Sequence, residues 1–222
     1  MCPLNNFIYS FIIQFIKINV RNKLILLPVA GLICFVFVYY GATLIYPGGN
    51  YLDKTSAGFN WEENYWCNLL DVTALNGRPN AARPVAIFAM FLLCFSLGVF
   101  WFEFPKYAGL NRKSRLVIQY SWVMAVSIAL LLITGLHDVI INISGAFVLI
   151  ALIGTLAGLY RLKYRFLFWW CILNCLLIGL NNYIYYTGWG MSFLPVVQKL
   201  TFLFCVVFVM VVCITLNRAS NR

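Results

Sequence analysis

Charge is what this sequence has least of. Asp, Glu, Lys and Arg make up 10% of its 222 residues, and six of those are acidic. Soluble domains average about 25% charged residues. A chain that is 63% hydrophobic carries more apolar surface than a water-facing fold of this length buries, which excludes an ordinary soluble domain. Histidine is scarcer still, with His137 standing alone. Polytopic lipid hydrolases that work with zinc set several histidines around the metal, so a single one argues against such a centre. Also missing are a Gly-x-Ser-x-Gly elbow and a phosphate-cradling glycine loop, which removes the familiar nucleophile and nucleotide signatures. The first twenty residues have neither a basic leading region nor a small-residue cleavage site, so they do not read as a signal peptide.

The eight cysteines do not make a disulfide framework. Cys34, Cys94, Cys171, Cys175, Cys205 and Cys213 fall in apolar runs, Cys2 lies near the start, and Cys67 alone occupies a polar stretch. Cys171 and Cys175 sit one helical turn apart but have no histidine or second cysteine pair beside them. They read as small apolar filler rather than metal ligands.

What is present is a series of long apolar runs. A membrane helix needs roughly 20 mainly apolar residues to cross about 30 Å of hydrocarbon. Six stretches qualify: Leu24 to Tyr46, Pro84 to Phe104, Leu116 to Leu136, Ile143 to Tyr160, Phe166 to Tyr186 and Leu194 to Leu216. The expected fold is therefore all-α, a polytopic bundle of six transmembrane helices over residues 24–216. An interfacial N-terminal segment (1–23) precedes it and a short tail (217–222) follows. That first segment carries Phe7, Ile8, Phe11, Ile12, Phe15 and Ile16 and ends in Lys17, Arg21 and Lys23, as a helix lying in the inner interface would.

The net charge of +10 is distributed as topology rather than as a nucleic-acid surface. Lys17, Arg21, Lys23, Lys106, Arg112, Lys113, Arg115, Arg161, Lys163, Arg165, Arg218 and Arg222 fall on one side of the spans, against Lys54, Arg78, Arg83 and Lys199 on the other. The positive-inside rule then puts both termini in the cytoplasm and the polar segment 47–83 outside.

That segment holds the main local signals. Tyr46-Pro47-Gly48-Gly49 must turn the chain. Asn60 as N-cap, Glu63 three residues on and Gly77 as a stop predict a short amphipathic helix over Trp61 to Asn76. Trp61, Tyr65 and Leu69 would share one face of it, and Asn64, Asn68 and Asp71 another. Pro84 then opens the second span. Glu103 reads as an interfacial charge paired with Lys106. Between the third and fourth spans, Gly135 to Asn142 leaves so little loop that His137 and Asp138 must sit at the membrane edge under cover of protein. The fifth span carries Asn174, Asn181 and Asn182, followed by the aromatic belt Tyr185, Tyr186 and Trp189. The sixth places Lys199 one turn inside its boundary, where a partner such as Asp138 or a carboxylate of the first loop is expected.

The YPGG turn, the GFNWEENYWCNLLD segment, NGRPNAARP before the second span and LHD ending the third together resemble a prokaryotic family of six-helix membrane proteins, a domain-of-unknown-function family distantly akin to the DRAM-like membrane proteins of eukaryotes. The resemblance spans roughly Leu24 to Leu216. It implies six helices, a structured first outer loop and a bacterial cytoplasmic membrane, and it carries no chemistry, cofactor or metal.

Two functions follow from the residues. One is a non-enzymatic membrane protein whose outer cavity binds a lipid headgroup, a small polar ligand or a partner, built from Asn64, Asp71, Arg83, His137, Asp138, Asn142, Asn181, Asn182 and Lys199. The same asparagines also suit hydrogen bonding between helices. The other is a lipid-modifying enzyme that uses His137 and Asp138, with His137 as base oriented by a carboxylate, Asp71 or Glu62 as acid, and Lys199 or Arg83 on a phosphate. A small transporter would need acids near the bilayer centre, and these lie near its surfaces.

Overall fold

The computed structural model describes residues 23–129 and 137–221, with His137 and Asp138 described by backbone alone. Residues 1–22 of the proposed interfacial N-terminal segment and the far end of the third stretch, residues 130–136, lie outside the described residues.

The fold is all-α. Helix α1 is Leu27–Leu44, α2 Arg83–Tyr107, α3 Arg112–Ala129, α4 His137–Arg161, α5 Arg165–Thr187 and α6 Leu194–Ser220. Five of these are long and apolar enough to cross a membrane. The exception is α3, whose described portion opens on Arg112-Lys113-Ser114-Arg115 and stops at Ala129. The fourth stretch runs longer than its hydropathy suggested, because the described helix already includes His137 to Asn142, ahead of Ile143. The polar pair His137 and Asp138 and the amide of Asn142 hide this portion from a reading based on apolar runs.

Helix boundaries follow local chemistry. Pro28, Pro84 and Pro195 each occupy the first turn of a helix, where no backbone donor is lost. Helix α5 ends on Gly188, whose left-handed backbone (φ 72°) turns the chain toward α6. Consecutive helices pack side by side, and α1 against α6 closes the bundle.

Small residues set how closely the helices approach. A Cβ on Gly154 would lie 2.4 Å from the Ile118 side chain, and one on Gly158 2.7 Å from the Phe104 ring. The close contact of α4 with α3 and α2 therefore depends on hydrogen at those positions. Polar ties are few: Trp101 Nε1 donates to Thr155 Oγ1 (3.1 Å), and Ser144 Oγ donates to the Ala125 carbonyl (2.9 Å). The outward faces carry Phe37, Phe88, Phe91, Tyr160, Phe166 and Trp169, all well exposed. Such a surface is compatible with a lipid solvent.

Lys106, Arg112, Lys113, Arg115, Arg161, Lys163, Arg165 and Arg218 gather where α2 meets α3, where α4 meets α5 and where α6 ends. The expected Glu103–Lys106 ion pair forms at this basic end.

Overpacking a tight helix contact costs about 1–3 kcal/mol. Gly154→Val is therefore expected to lower the melting temperature of the purified protein, while Gly145→Ala, where a Cβ meets nothing within 4 Å and alanine is the better helix former, does not lower it. Thermal unfolding of both variants in the same detergent checks this.

Candidate functional site

The segment joining α1 to α2 folds as a lid across one end of the bundle. Its first turn needs glycine: Gly48 and Gly49 have φ of 123° and 83°, and a Cβ on either would come within 2.3 Å of lid backbone. Gly48 bridges Ala57, and Gly49 N donates to the Ser56 carbonyl at 2.8 Å.

The amphipathic helix expected over Trp61 to Asn76 does not form. In its place is one short 3-10 turn, Trp66–Leu70, flanked by irregular chain. The capping signal is used differently. Asn60 Oδ1 accepts from Glu62 N, and the return bond expected from Glu63 is made by Asn64, whose Oδ1 accepts from Asn60 N at 2.8 Å. Local side-chain bonds to backbone compete with helix, and here they prevail. Asn64 Nδ2 donates to the Gly49 carbonyl, Asn68 Oδ1 accepts from Tyr65 N, and Asn80 Nδ2 donates to the carbonyls of Asn68, Leu69 and Asp71. Asn64 and Asn68 are consequently buried rather than displayed on a polar stripe.

Three helices hold the lid. From α1, Tyr39 Oη donates to the Trp66 carbonyl at 2.9 Å; just beyond it, Tyr46 Oη accepts from Leu75 N at 3.1 Å. From α2, Arg83 Nε donates to the Leu70 carbonyl at 3.1 Å. From α6, Gln198 Oε1 accepts from Trp66 N (3.1 Å) and Lys199 Nζ donates to the carbonyls of Asn64 (2.6 Å) and Pro195 (2.9 Å). Lys199 also stands 5.6 Å from the centre of the Phe59 ring. Its partners among the described residues are therefore backbone oxygens and an aromatic face; the Asp138 side chain, one of the carboxylates expected for it, lies outside them. The Trp66 ring is stacked between Tyr39 (4.5 Å, 11°) and Phe202 (5.6 Å, 7°).

Beside this anchor, between the lid and the ends of α4, α5 and α6, lies a cavity of about 780 Å³. The lid contributes Tyr51, Leu52, Glu63, Tyr65, Cys67, Asn68 and Asp71. Ile141, Asn181, Asn182, Tyr185 and Tyr186 come from α4 and α5, and Met191, Ser192, Leu194, Pro195 and Gln198 from the start of α6. Its size falls within the range of about 300–1,000 Å³ usual for small-molecule sites.

Of the residues singled out in the sequence, Asp71, Asn181 and Asn182 meet in this wall. Asn181 Nδ2 donates to Thr201 Oγ1 (2.7 Å) and the Leu177 carbonyl, while its Oδ1 is buried with no partner among the described residues. Asn142 donates to Tyr186 Oη, one of the lining tyrosines. Asn64, Arg83 and Lys199 are occupied in fastening the lid, and Glu62 is exposed outside the cavity wall. His137 and Asp138 open α4, and their side chains lie outside the described residues. The lining residues that sequence reasoning missed are Tyr51, Glu63, Tyr65, Cys67, Tyr185, Tyr186, Ser192 and Gln198. Tyr185 and Tyr186 were legible only as an interfacial aromatic belt. Among the described residues, no group of three His, Cys, Asp or Glu side chains is placed to hold a metal ion, and the seven described cysteines are free.

Burial raises the Tyr65 phenol above its ordinary range, with further upward contributions from Tyr51 and Cys67. Burial, with the Asp71 charge adding to it, pushes the Cys67 thiol up to about 11.

Two outcomes are expected from this geometry. In a variant that keeps Cys67 as its single cysteine, alkylation by iodoacetamide is expected to rise about tenfold per pH unit from pH 7 to 10, since the reactive thiolate stays a minor species throughout. Trp66→Ala is expected to cost about 3 kcal/mol and to expose the lid to limited proteolysis while the helices persist, as circular dichroism and peptide mapping report. The chain matches no protein-family model, no curated protein and no solved structure.

Proposed function

We propose that this chain is an integral membrane protein that binds the headgroup of a lipid, or a similar small amphiphile, in the cavity under its lid, and that it acts by binding rather than by catalysis. The exposed aromatic and aliphatic faces of the helices and the basic residues at one end support a cell-membrane location with that end in the cytoplasm and the lid outside. The six-helix prokaryotic family that the sequence resembles would make this a bacterial cytoplasmic membrane, with the stretch Leu116 to Leu136 counted as a sixth span.

The observation that carries the reading is the cavity's mixed wall. Leu52, Ile141, Met191, Leu194 and Pro195 offer an aliphatic side, and tyrosines, amides and carboxylates offer a polar one. A water-soluble ligand has no use for the first, and an acyl chain has none for the second. An amphiphile lying at the water boundary suits both. Catalysis gains no comparable support, because Arg83 and Lys199, the two cations that the sequence suggested for a phosphate, are bonded to lid carbonyls.

Protein purified in mild detergent and examined by native mass spectrometry is expected to retain about one amphiphile per chain, as a single cavity of this size implies. Asn182→Trp, which fills the cavity from an exposed position on α5, is expected to remove that adduct without lowering the melting temperature. An adduct equally abundant in both proteins would contradict the proposal.

A further inference from the structure

We propose that the basic end of the bundle, opposite the lid, binds the phosphate of an anionic phospholipid in a seat shared by the α2–α3 and α4–α5 turns. The proposal rests on the membrane location given above and not on the cavity under the lid.

The seat begins with two turns that touch. A Cβ on Gly109, in the α2–α3 turn, would lie 3.7 Å from Arg161 Nε and 3.8 Å from its Nη2, so the guanidinium at the end of α4 lies over that turn. Ile118 of α3 meets α4 at Gly154, and one turn nearer the end Arg115 comes level with Gly158 and Arg161. Arg112, Lys113 and Arg115 at the start of α3 are therefore neighbours of Arg161, Lys163 and Arg165 around the α4–α5 turn. Arg115 is half-buried and the other five are exposed.

The chain has no carboxylate side chain left to neutralise them. It contains six acids. Asp53, Glu62, Glu63 and Asp71 belong to the lid, and Asp138 opens α4, about 35 Å from Arg161 at 1.5 Å per residue. Glu103 is the one acid at this end, and it pairs with Lys106. Residues 1–22, outside the described ones, hold no Asp or Glu and cannot supply the missing charge.

The fold itself does not ask for these cations. Both α3 and α5 start at this end with no acid in the first turn, and a cation at the start of a helix opposes its dipole. Lys163 holds a left-handed backbone, φ 60°, which glycine adopts at least cost. A charged side chain thus occupies a position whose geometry favours none. Orientation in the membrane calls for basic residues near the turns, but not for their convergence on one place. A phosphate held between the turns offsets the mutual repulsion, and arginine suits it through paired N–H donors.

The surroundings of the seat favour a lipid over a soluble anion. Tyr160, Phe166 and Trp169 flank Arg161 and Arg165 and are 76%, 73% and 66% exposed. A soluble polyanion would leave these rings uncovered, whereas a lipid held by its phosphate lays its acyl chains beside them. The proposed orientation also puts this end in the cytoplasmic leaflet, whose surface is anionic.

The test titrates the purified full chain in maltoside micelles with phosphatidylglycerol or phosphatidylcholine of the same acyl chains, read by native mass spectrometry. Phosphatidylglycerol is expected to bind at least fivefold more tightly, since each basic residue at a charged interface contributes about that factor. The preference is expected to persist in Asn182→Trp, whose cavity is filled, and to disappear in Arg161→Gln/Arg165→Gln. Lys163→Gly, which relieves the left-handed strain, is expected to reduce it without lowering the melting temperature. Equal binding of the two lipids, or a preference unchanged in these arginine and lysine variants, would overturn the seat and leave the membrane reading intact. Retention of neither lipid would overturn both. A preference lost in Asn182→Trp would overturn the seat and move the anion to the cavity. Inorganic pyrophosphate or an oligonucleotide that displaces phosphatidylglycerol at a concentration below that of the lipid would overturn the lipid source.

Discussion

The arrangement of this end of the molecule depends on one side chain, Trp66. Its ring fills the space between Tyr39 of α1 and Phe202 of α6 with both faces covered, and the two polar groups of its own backbone are taken up by Tyr39 Oη and Gln198 Oε1. The residue joins the first helix to the last through the lid, at the seam where the bundle closes. Aromatic stacking adds about 0.5–1.5 kcal/mol per pair beyond area burial, so the wedge is a substantial local fixture. Its chain neighbours Tyr65 and Cys67, on either side of the pinned residue, stand in the cavity wall.

Around that fixture the lid has little regular structure, and asparagine replaces it. Asn50 accepts from Leu52 N and Asp53 N, and Asn76 Nδ2 donates to the Pro47 carbonyl. Asn60, Asn64, Asn68 and Asn80 close the remaining turns in the same way. A short amide offers both donor and acceptor within reach of nearby backbone, which lets a loop bury its peptide groups without a helix or sheet. The consequence is a rigid covering assembled from local bonds. Its amides serve the fold, while Glu63, Asp71, Tyr51 and Tyr65 stand in the cavity wall.

Much of the helical part was legible in the sequence, because a run of apolar residues bounded by basic clusters and prolines has few other physical solutions. Leu194 and Pro195 open α6 where hydropathy put it, and Arg165 to Thr187 differs from the expected fifth stretch by one residue at each end. The lid was legible only as a structured loop. Asn60 followed by Glu63 is a sound capping pattern, but one residue further on Asn64 offered a better-placed acceptor, and the chain took a turn instead of a helix. The partner of Lys199 could not be read either, since the Asn64 carbonyl lies 135 positions away and backbone oxygens leave no trace in a sequence. The amides of α5 divide. Asn181 ties its helix to Thr201 of α6, as intramembrane amides commonly do. Asn174, 1% exposed, has neither amide atom partnered among the described residues. The cavity itself was half legible. Asp71, Asn181 and Asn182 were singled out as polar groups at one depth, whereas Tyr65, Cys67 and Glu63 stand in the wall through the long-range ties of Asn64 and Trp66, which a sequence does not show.

The account's central claim is that the space between the pinned lid and α5 belongs to a lipid rather than to the protein. The most direct measurement replaces Tyr186 with a photoreactive benzophenone amino acid and irradiates cells before purification. The account predicts an intact-mass increase equal to that of a phospholipid, carried by the peptide containing residue 186. Cross-links joining that peptide only to other segments of the same chain would contradict it, since the protein would then fill the space itself.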